Sequence, residues 1–186
     1  GNRKIGLGIM GWGDMLYKLG IPYNSQEALD LSWKVMGCID DEAFYASCKL
    51  AEEKGVFPNW HKSPSFQEKY GKVRNASRTC IAPTGTLSII ANCTSGIEPA
   101  YGLVYEKHVL DGQTLYEVNP VFEQELRNRG IYSKELLQKV ADNHGSCQGI
   151  EEIPEDMQKV FVVAHDITPE WHVKMQAAFQ KQTGMG

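Results

Sequence analysis

Residues 81–99 read IAPTGTLSIIANCTSGIEP, and the first half of this stretch decides how the surrounding chain is organised. Thr79-Cys80-Ile81-Ala82 is a short β-prone run that stops at Pro83, which has no amide to donate to a strand ladder. Gly85 lets backbone approach a ligand closely, while Thr84, Thr86 and Ser88 bring hydroxyls to the start of a helix expected over Ser88 to Cys93. A strand, a tight turn and a helix start leave unpaired amides at the helix end. Their partial positive charge suits a phosphate without requiring a lysine. The stretch is not a Walker loop, because the G-x-x-x-x-G-K pattern is absent. An ordinary cap, in which Thr84 or Thr86 merely satisfies its own helix, fits the same spacing.

Upstream, Lys4 to Gly11 reads KIGLGIMG, which matches G-x-G-x-x-G. A dinucleotide turn also needs a buried strand before it and a second strand ending in an acidic residue. Only Gly1 to Ile5 precede the motif, and Pro22 with an expected cap at Asn24 occupies the place of the second strand. The alternative is a set of glycines that permit close packing against a neighbour. Asn24-Ser25-Gln26-Glu27 reads as a capping box opening a helix that ends at Gly55, with a break near Gly37. Ala28, Leu31, Val35, Ile39, Ala43, Ala46 and Leu50 form its expected apolar face. Val56 to Val73, with Pro58, Pro64 and Gly71, reads as a loop.

Downstream, two β-prone runs flank Asp111-Gly112 between Leu103 and Val118, a hairpin signal. Asn119-Pro120 opens a helix that Gly130 closes, Ser133 caps another ending near Gly145, and Thr168-Pro169 opens a third. Trp171, Met175, Ala178 and Phe179 lie at helical spacing and read as core. The class is α/β or α+β, helix-rich in its second half.

The chain has 186 residues, enough for one domain with a sizeable core. A net charge of −4 gives no general nucleic-acid footprint. No apolar run approaches the roughly 20 residues that cross a bilayer. Cys38, Cys48, Cys80, Cys93 and Cys147 contain no C-x-x-C pair, which favours a reduced, cytoplasmic setting. His165, Asp166 and His172 match no metal-ligand spacing and read as capping or surface residues. Arg74 and Arg78 are either phosphate-attracting or a solvated basic face, and Glu98 reads as a buried carboxylate. Gly184-Met185-Gly186 reads as a cut end of a larger protein.

The stretch IAPTGTLSIIANCTSGIEP resembles the substrate-phosphate loop and following segment of ribonucleotide reductase large chains. APTGT-[IL]-S with SGIEP is most similar to the adenosylcobalamin-dependent class II enzymes. RKIGLGIMGWGDMLYKLGIPY, VLDGQTLYEVNPVFE and GSCQGIEEIPEDMQKVFVVAHDITPEWHVKMQAAFQK resemble class II segments in the same order, so the likeness covers nearly the whole chain. It implies an α/β fold: residues 1–186 as the C-terminal portion of the ten-stranded catalytic α/β barrel, helix-rich with a β-hairpin insertion. It implies that Pro83, Thr84, Gly85, Thr86 and Leu87 cradle the substrate's phosphates, mainly through backbone amides, with Ser88 a weaker candidate.

In the family a thiyl radical on the cysteine of an N-P-C-G-E-like loop reduces the ribose, assisted by a glutamate, an asparagine and a redox cysteine pair. No such loop occurs here. The resemblance therefore implies no catalytic residue and no metal ligand in residues 1–186, and no activity for this stretch alone. The five cysteines read as buried or incidental thiols. For the full-length enzyme it implies adenosylcobalamin as cofactor, ribonucleoside di- or triphosphates as substrates for DNA synthesis, a thioredoxin-type reductant, and the rest of the parent chain as partner. It implies no membrane partner and is compatible with a homodimer. The alternatives are a class I-type large chain fed by a separate radical subunit, an NAD-dependent dehydrogenase built on GLGIMG, and a non-catalytic module that keeps only the phosphate turn.

Overall fold

The computed structural model describes residues 1–108 and 114–183. The chain forms two compact units. The first comprises Gly1–Ile9, Leu29–Pro83 and the chain from Lys174 onwards; the second comprises Met10–Ala28 and Thr84–Val173. No helix among the described residues is long and apolar enough to cross a membrane.

The first unit is organised by α2 (Gln26–Lys54), which runs unbroken through Gly37. Its cap is Ser25 rather than Asn24. The Ser25 hydroxyl accepts from the Ala28 amide at 3.1 Å and donates to the Pro22 carbonyl at 2.6 Å. The helical period is as expected, but the buried stripe is Ala28, Ser32, Met36, Ser47 and Ala51, whereas Ala46 and Leu50 are exposed. Serines hold buried positions, so a count of apolar residues finds the wrong phase. Ser47 is a staple: its hydroxyl donates to Asn75 Oδ1 and accepts from the amides of Arg74 and Asn75.

Arg74 turns back on the same helix and donates to the carbonyls of Lys54 and Gly55, capping its C-terminus. The stretch read as a loop from Val56 to Val73 is partly helical. It holds a 3-10 turn at Trp60–Lys62 and the helix α3 (Pro64–Tyr70), because Pro64 occupies a first-turn position where its missing amide costs nothing.

Among the described residues, the run expected as a strand makes one parallel bridge, Leu7 to Thr79, and no longer ladder. Ile5 donates to the Ser77 carbonyl, Leu7 to Arg78, and Cys80 back to Leu7. This pairing explains the glycines of KIGLGIMG. A Cβ at Gly6 would lie 2.6 Å from Cys80 Sγ, and one at Gly8 would lie 2.8 Å from the Cys80 carbonyl oxygen. The glycines are filled by the neighbouring chain, which leaves the dehydrogenase reading without a pyrophosphate cradle.

The second unit holds α1 (Trp12–Leu19), α4 (Gly85–Ala91), a hairpin of β1 (Val104–His108) and β2 (Thr114–Val118), α5 (Pro120–Asn128), α6 (Lys134–Asp142), α7 (Glu155–Val160) and the start of α8 (Pro169–Gln180), as far as Val173. The hairpin is antiparallel, in register from Val104–Val118 to His108–Thr114. The expected turn at Asp111-Gly112 lies outside the described residues. Caps fall where the sequence predicts them: Asn119 Oδ1 accepts from the amides of Val121 and Phe122, and Ser133 Oγ from that of Leu136. Gly130 and Gly145 adopt positive φ beyond α5 and α6. The helix α7 is missing from the sequence reading; its signals, Pro154 ahead of it, Glu155 and Asp156 in its first turn and Lys159 in its last, sit on a run of only six residues.

Tyr17, Leu103, Phe122, Leu126, Val140, Cys147, Met157 and Phe161 form the centre of this unit's core. The Tyr17 hydroxyl donates to the Val162 carbonyl at 2.6 Å, so the phenol's polar end is paired inside the core. Trp171 is half-buried, while Met175, Ala178 and Phe179 on α8 are buried as expected.

Of the cysteines, only Cys147 is buried; Cys38 is exposed and the other three are half-buried, all of them free thiols. Burial, reinforced by the Asp166 carboxylate, pushes the Cys147 thiol up to about 12. We expect a thiol-alkylating reagent at about pH 8 to label Cys38 readily and to leave Cys147 untouched until the protein unfolds. Peptide mass spectrometry before and after denaturation checks this, and rapid native labelling of Cys147 would contradict the burial.

Candidate functional site

The chain leaves Pro83 and enters α4 three residues earlier than the sequence suggests. Thr84 sits at φ 47°, ψ 28°, in the left-handed region. For a β-branched residue this conformation costs about 1–2 kcal/mol, so something must hold it there. The holder is the loop that follows α4: the Thr84 hydroxyl accepts from the Gly96 amide at 2.8 Å. Thr84 therefore makes no cap bond to its own helix, and the capping alternative fails for this residue.

The amides of Gly85, Thr86 and Leu87 donate to none of the described residues, and all three residues are exposed. A Cβ built at Gly85 meets nothing within 4 Å. Ser88 differs from its neighbours. It is buried, and its hydroxyl donates to the Gly85 carbonyl at 2.8 Å and shares a hydrogen bond with Ser95 Oγ at 2.8 Å. Pro83 is exposed and brings no donor. The structure thus separates the predicted set into an exposed donor run, Gly85 to Leu87, and two residues whose side chains hold the loop, Thr84 and Ser88.

The residues from Cys93 to Glu98 rest on the first turn of α1. Gly11 donates to the Thr94 carbonyl at 2.7 Å, and Trp12 to the Gly96 carbonyl at 3.3 Å. The Asp14 amide donates to Thr94 Oγ1, while its carboxylate accepts from the Thr94 amide at 2.7 Å and from Asn119 Nδ2 at 2.8 Å. A Cβ at Gly13 would lie 3.2 Å from the Thr94 side chain, so the GWGD segment is shaped for this loop. The sequence marks Asn119 only as a helix cap and gives no pointer to Asp14 or Thr94 as its neighbours in the site. The acidic residue in the first turn of α1 is a signal, but nothing local reveals its partners, which lie 80 and 105 residues away.

A cavity of about 280 Å³ opens beside this loop, with Asp14, Ser88, Ser95, Glu98, Tyr105 and Asn119 in its wall. A larger cleft of about 1240 Å³ lies along α1, α5 and α7 and includes none of Thr84 to Ser88. Glu98 is exposed, contrary to its expected burial. Arg78 is neither a free phosphate contact nor part of a solvated face. It is 3% exposed, faces Asp40 at 3.4 Å and lies over the rings of Phe44 and Tyr70. Asp166 accepts from Ser146 Oγ and from the Val163 amide, and the His172 ring pairs with the Ala164 carbonyl. Among the described residues no group of three His, Cys, Asp or Glu side chains is placed to hold a metal ion.

The family model described as "Ribonucleotide reductase, barrel domain" matches residues 1–72 and 65–183. A "Vitamin B12-dependent ribonucleoside-diphosphate reductase" of Thermoplasma acidophilum is 55% identical over 99% of this chain and 24% of its own length. A protein of the same description from Mycobacterium tuberculosis is 43% identical over 96% of this chain and 25% of its own. The chain thus spans about a quarter of the length of these relatives. Among solved structures, the class Id ribonucleotide reductase alpha subunit of Actinobacillus ureae has a similar fold. The TM-score is 0.81 at 24% identity, covering 98% of this chain and 32% of that one.

Proposed function

The chain belongs to the ribonucleotide reductase barrel-domain family, and on that premise we propose that it is the C-terminal portion of the catalytic barrel of a ribonucleoside-diphosphate reductase. In this reading residues 83–87 hold the substrate's phosphates. The observation that carries it is the run of three amides on exposed residues, Gly85, Thr86 and Leu87, that donate to none of the described residues, in the stretch whose sequence most resembles the family's phosphate loop.

Each residue has a separate task. Pro83 ends the incoming run and fixes the approach, and Thr84 turns the chain through its left-handed conformation. Gly85, Thr86 and Leu87 donate amides to phosphate oxygens, with the dipole of α4 adding to the attraction. Ser88 acts indirectly, because its hydroxyl is committed to Gly85 and Ser95. Holding the phosphates fixes where the ribose lies, and this positioning is the contribution of these residues to catalysis.

The names of the two relatives support cobalamin as the cofactor of the intact protein, and the resemblance to class II extends this to adenosylcobalamin. The described residues offer no metal-ligand cluster for it, so no step of its chemistry is assigned to them. A thioredoxin-type reductant, a homodimer and a cytoplasmic setting complete the proposal.

The test is turnover by the intact protein that carries this sequence. We expect reduction of nucleoside diphosphates that depends on added adenosylcobalamin, and none from residues 1–186 alone. Cobalamin-independent turnover requiring a separate metal-containing subunit would move the protein to class I. Deoxynucleotide formation by the 186 residues alone would overturn the division of labour.

A further inference from the structure

We propose that Asp14 is a positioning residue for substrate phosphate: it holds the loop from Cys93 to Glu98, which in turn holds Thr84 and Ser88. The proposal rests on the phosphate-loop reading above and adds a residue remote from it in sequence.

Asp14 is 7% exposed, and both of its carboxylate oxygens are used. Oδ2 accepts from the Thr94 amide and Oδ1 from Asn119 Nδ2, at 2.7 and 2.8 Å. Thr94 is thereby fixed to α1, and with it the next two residues. Ser95 meets Ser88 Oγ, and Gly96 donates to Thr84 Oγ1. The left-handed Thr84 has no other hydrogen bond from its side chain among the described residues. The Gly11 and Trp12 amides share in holding this loop, so weakening the carboxylate's part of the anchor loosens, without abolishing, the constraint on Thr84 and the alignment of the amides of Gly85 to Leu87. Asn119 completes the frame from the other side, since its Oδ1 caps α5 while its Nδ2 meets Asp14.

The donor pattern dictates a specific variant. Both partners of the carboxylate donate, so Asp14→Asn preserves shape yet sets an N–H₂ against one of two donors and breaks one bond. Adding Asn119→Asp restores the set. The introduced amide then donates to the new carboxylate, whose other oxygen still caps α5, Asp and Asn being near-equal caps.

The experiment measures steady-state kinetics with a nucleoside diphosphate in the intact protein for Asp14→Asn, the double variant Asp14→Asn/Asn119→Asp, and Gly85→Asp. We expect Asp14→Asn to raise KM about tenfold with kcat changed less than about threefold, the pattern of lost ground-state binding. The double variant should recover KM to within about twofold of the parent. A KM unchanged by Asp14→Asn, with Gly85→Asp strongly impaired, would sink the positioning role and leave the phosphate loop standing. A fall in kcat accompanied by a lower melting temperature, neither repaired by the double variant, would reduce Asp14 to a structural residue. An unchanged KM in Gly85→Asp would remove the phosphate reading itself, and this proposal with it.

Discussion

On the proposed phosphate-loop reading, replacing Gly85 with aspartate is expected to raise KM for the nucleotide about 100-fold while the melting temperature stays level or rises. Gly85 is the first residue of α4, its φ is not in the positive region, and a Cβ there has open space around it. Glycine is a poor helix former, by about 1 kcal/mol against alanine, and a carboxylate at a helix N-terminus is favourable by about 0.3–1 kcal/mol. Folding therefore gains. Binding loses, because the new carboxylate sits among the amides of Gly85, Thr86 and Leu87 and repels the phosphates that would use them. Loss of one or two charge-assisted hydrogen bonds, at about 1.5–3 kcal/mol each, gives the expected scale. Gly85→Ala adds bulk without charge and should bind far more nearly like the parent. A purely structural glycine predicts the opposite order, with both variants destabilised and binding following stability. Isothermal titration alongside a thermal melt separates the two outcomes.

Phe122→Ala should cost about 4 kcal/mol, the largest stability loss expected from a single truncation in the second unit. Phe122 is fully buried on α5, its ring meets Phe161 edge-on at 5.3 Å, and Phe161 packs on Tyr17 at 4.8 Å. The three rings join α5, α1 and the turn after α7, so no single element can move in to fill the space. A partly collapsed void retains most of its penalty. Against a total stability of about 5–15 kcal/mol, such a loss places the unit close to unfolding. Urea denaturation gives the value. A cost below about 2 kcal/mol would mean that the rings close over the gap and that the centre is softer than its packing suggests.

Much of the second unit is legible in the chain because its signals are local. Asn119-Pro120 and Ser133 announce helices whose caps form within three residues, Thr168-Pro169 announces the start of α8, and the hairpin follows from two short β-prone runs. What stays hidden depends on distant partners. The phase of α2 is set by Ser32 and Ser47, polar residues that are buried because a neighbour or their own helix satisfies them. Arg78 looks like a surface cation until Asp40, Phe44 and Tyr70 close around it. At the site, the exposed amides of Gly85 to Leu87 lie where the turn chemistry points. The inward roles of Thr84 and Ser88 need the loop from Ser95 to Gly96, and the frame around Asp14 needs partners on two further elements. The glycine motif misleads for the same reason, since its space is taken by Cys80.

The pairing of the N-terminal strand-like segment has a kinetic consequence. Ile5 meets Ser77 across 72 residues, so on the ribosome its partner is not yet made when Ile5 emerges. At about 5–20 residues per second, the gap lasts several seconds. During that wait the backbone edge of Ile5 and Leu7 has no partner, and α2, whose helical hydrogen bonds are local, has ample time to form first. Slowing synthesis across this interval lengthens the time for which that backbone edge stays open to pairing with another extended segment.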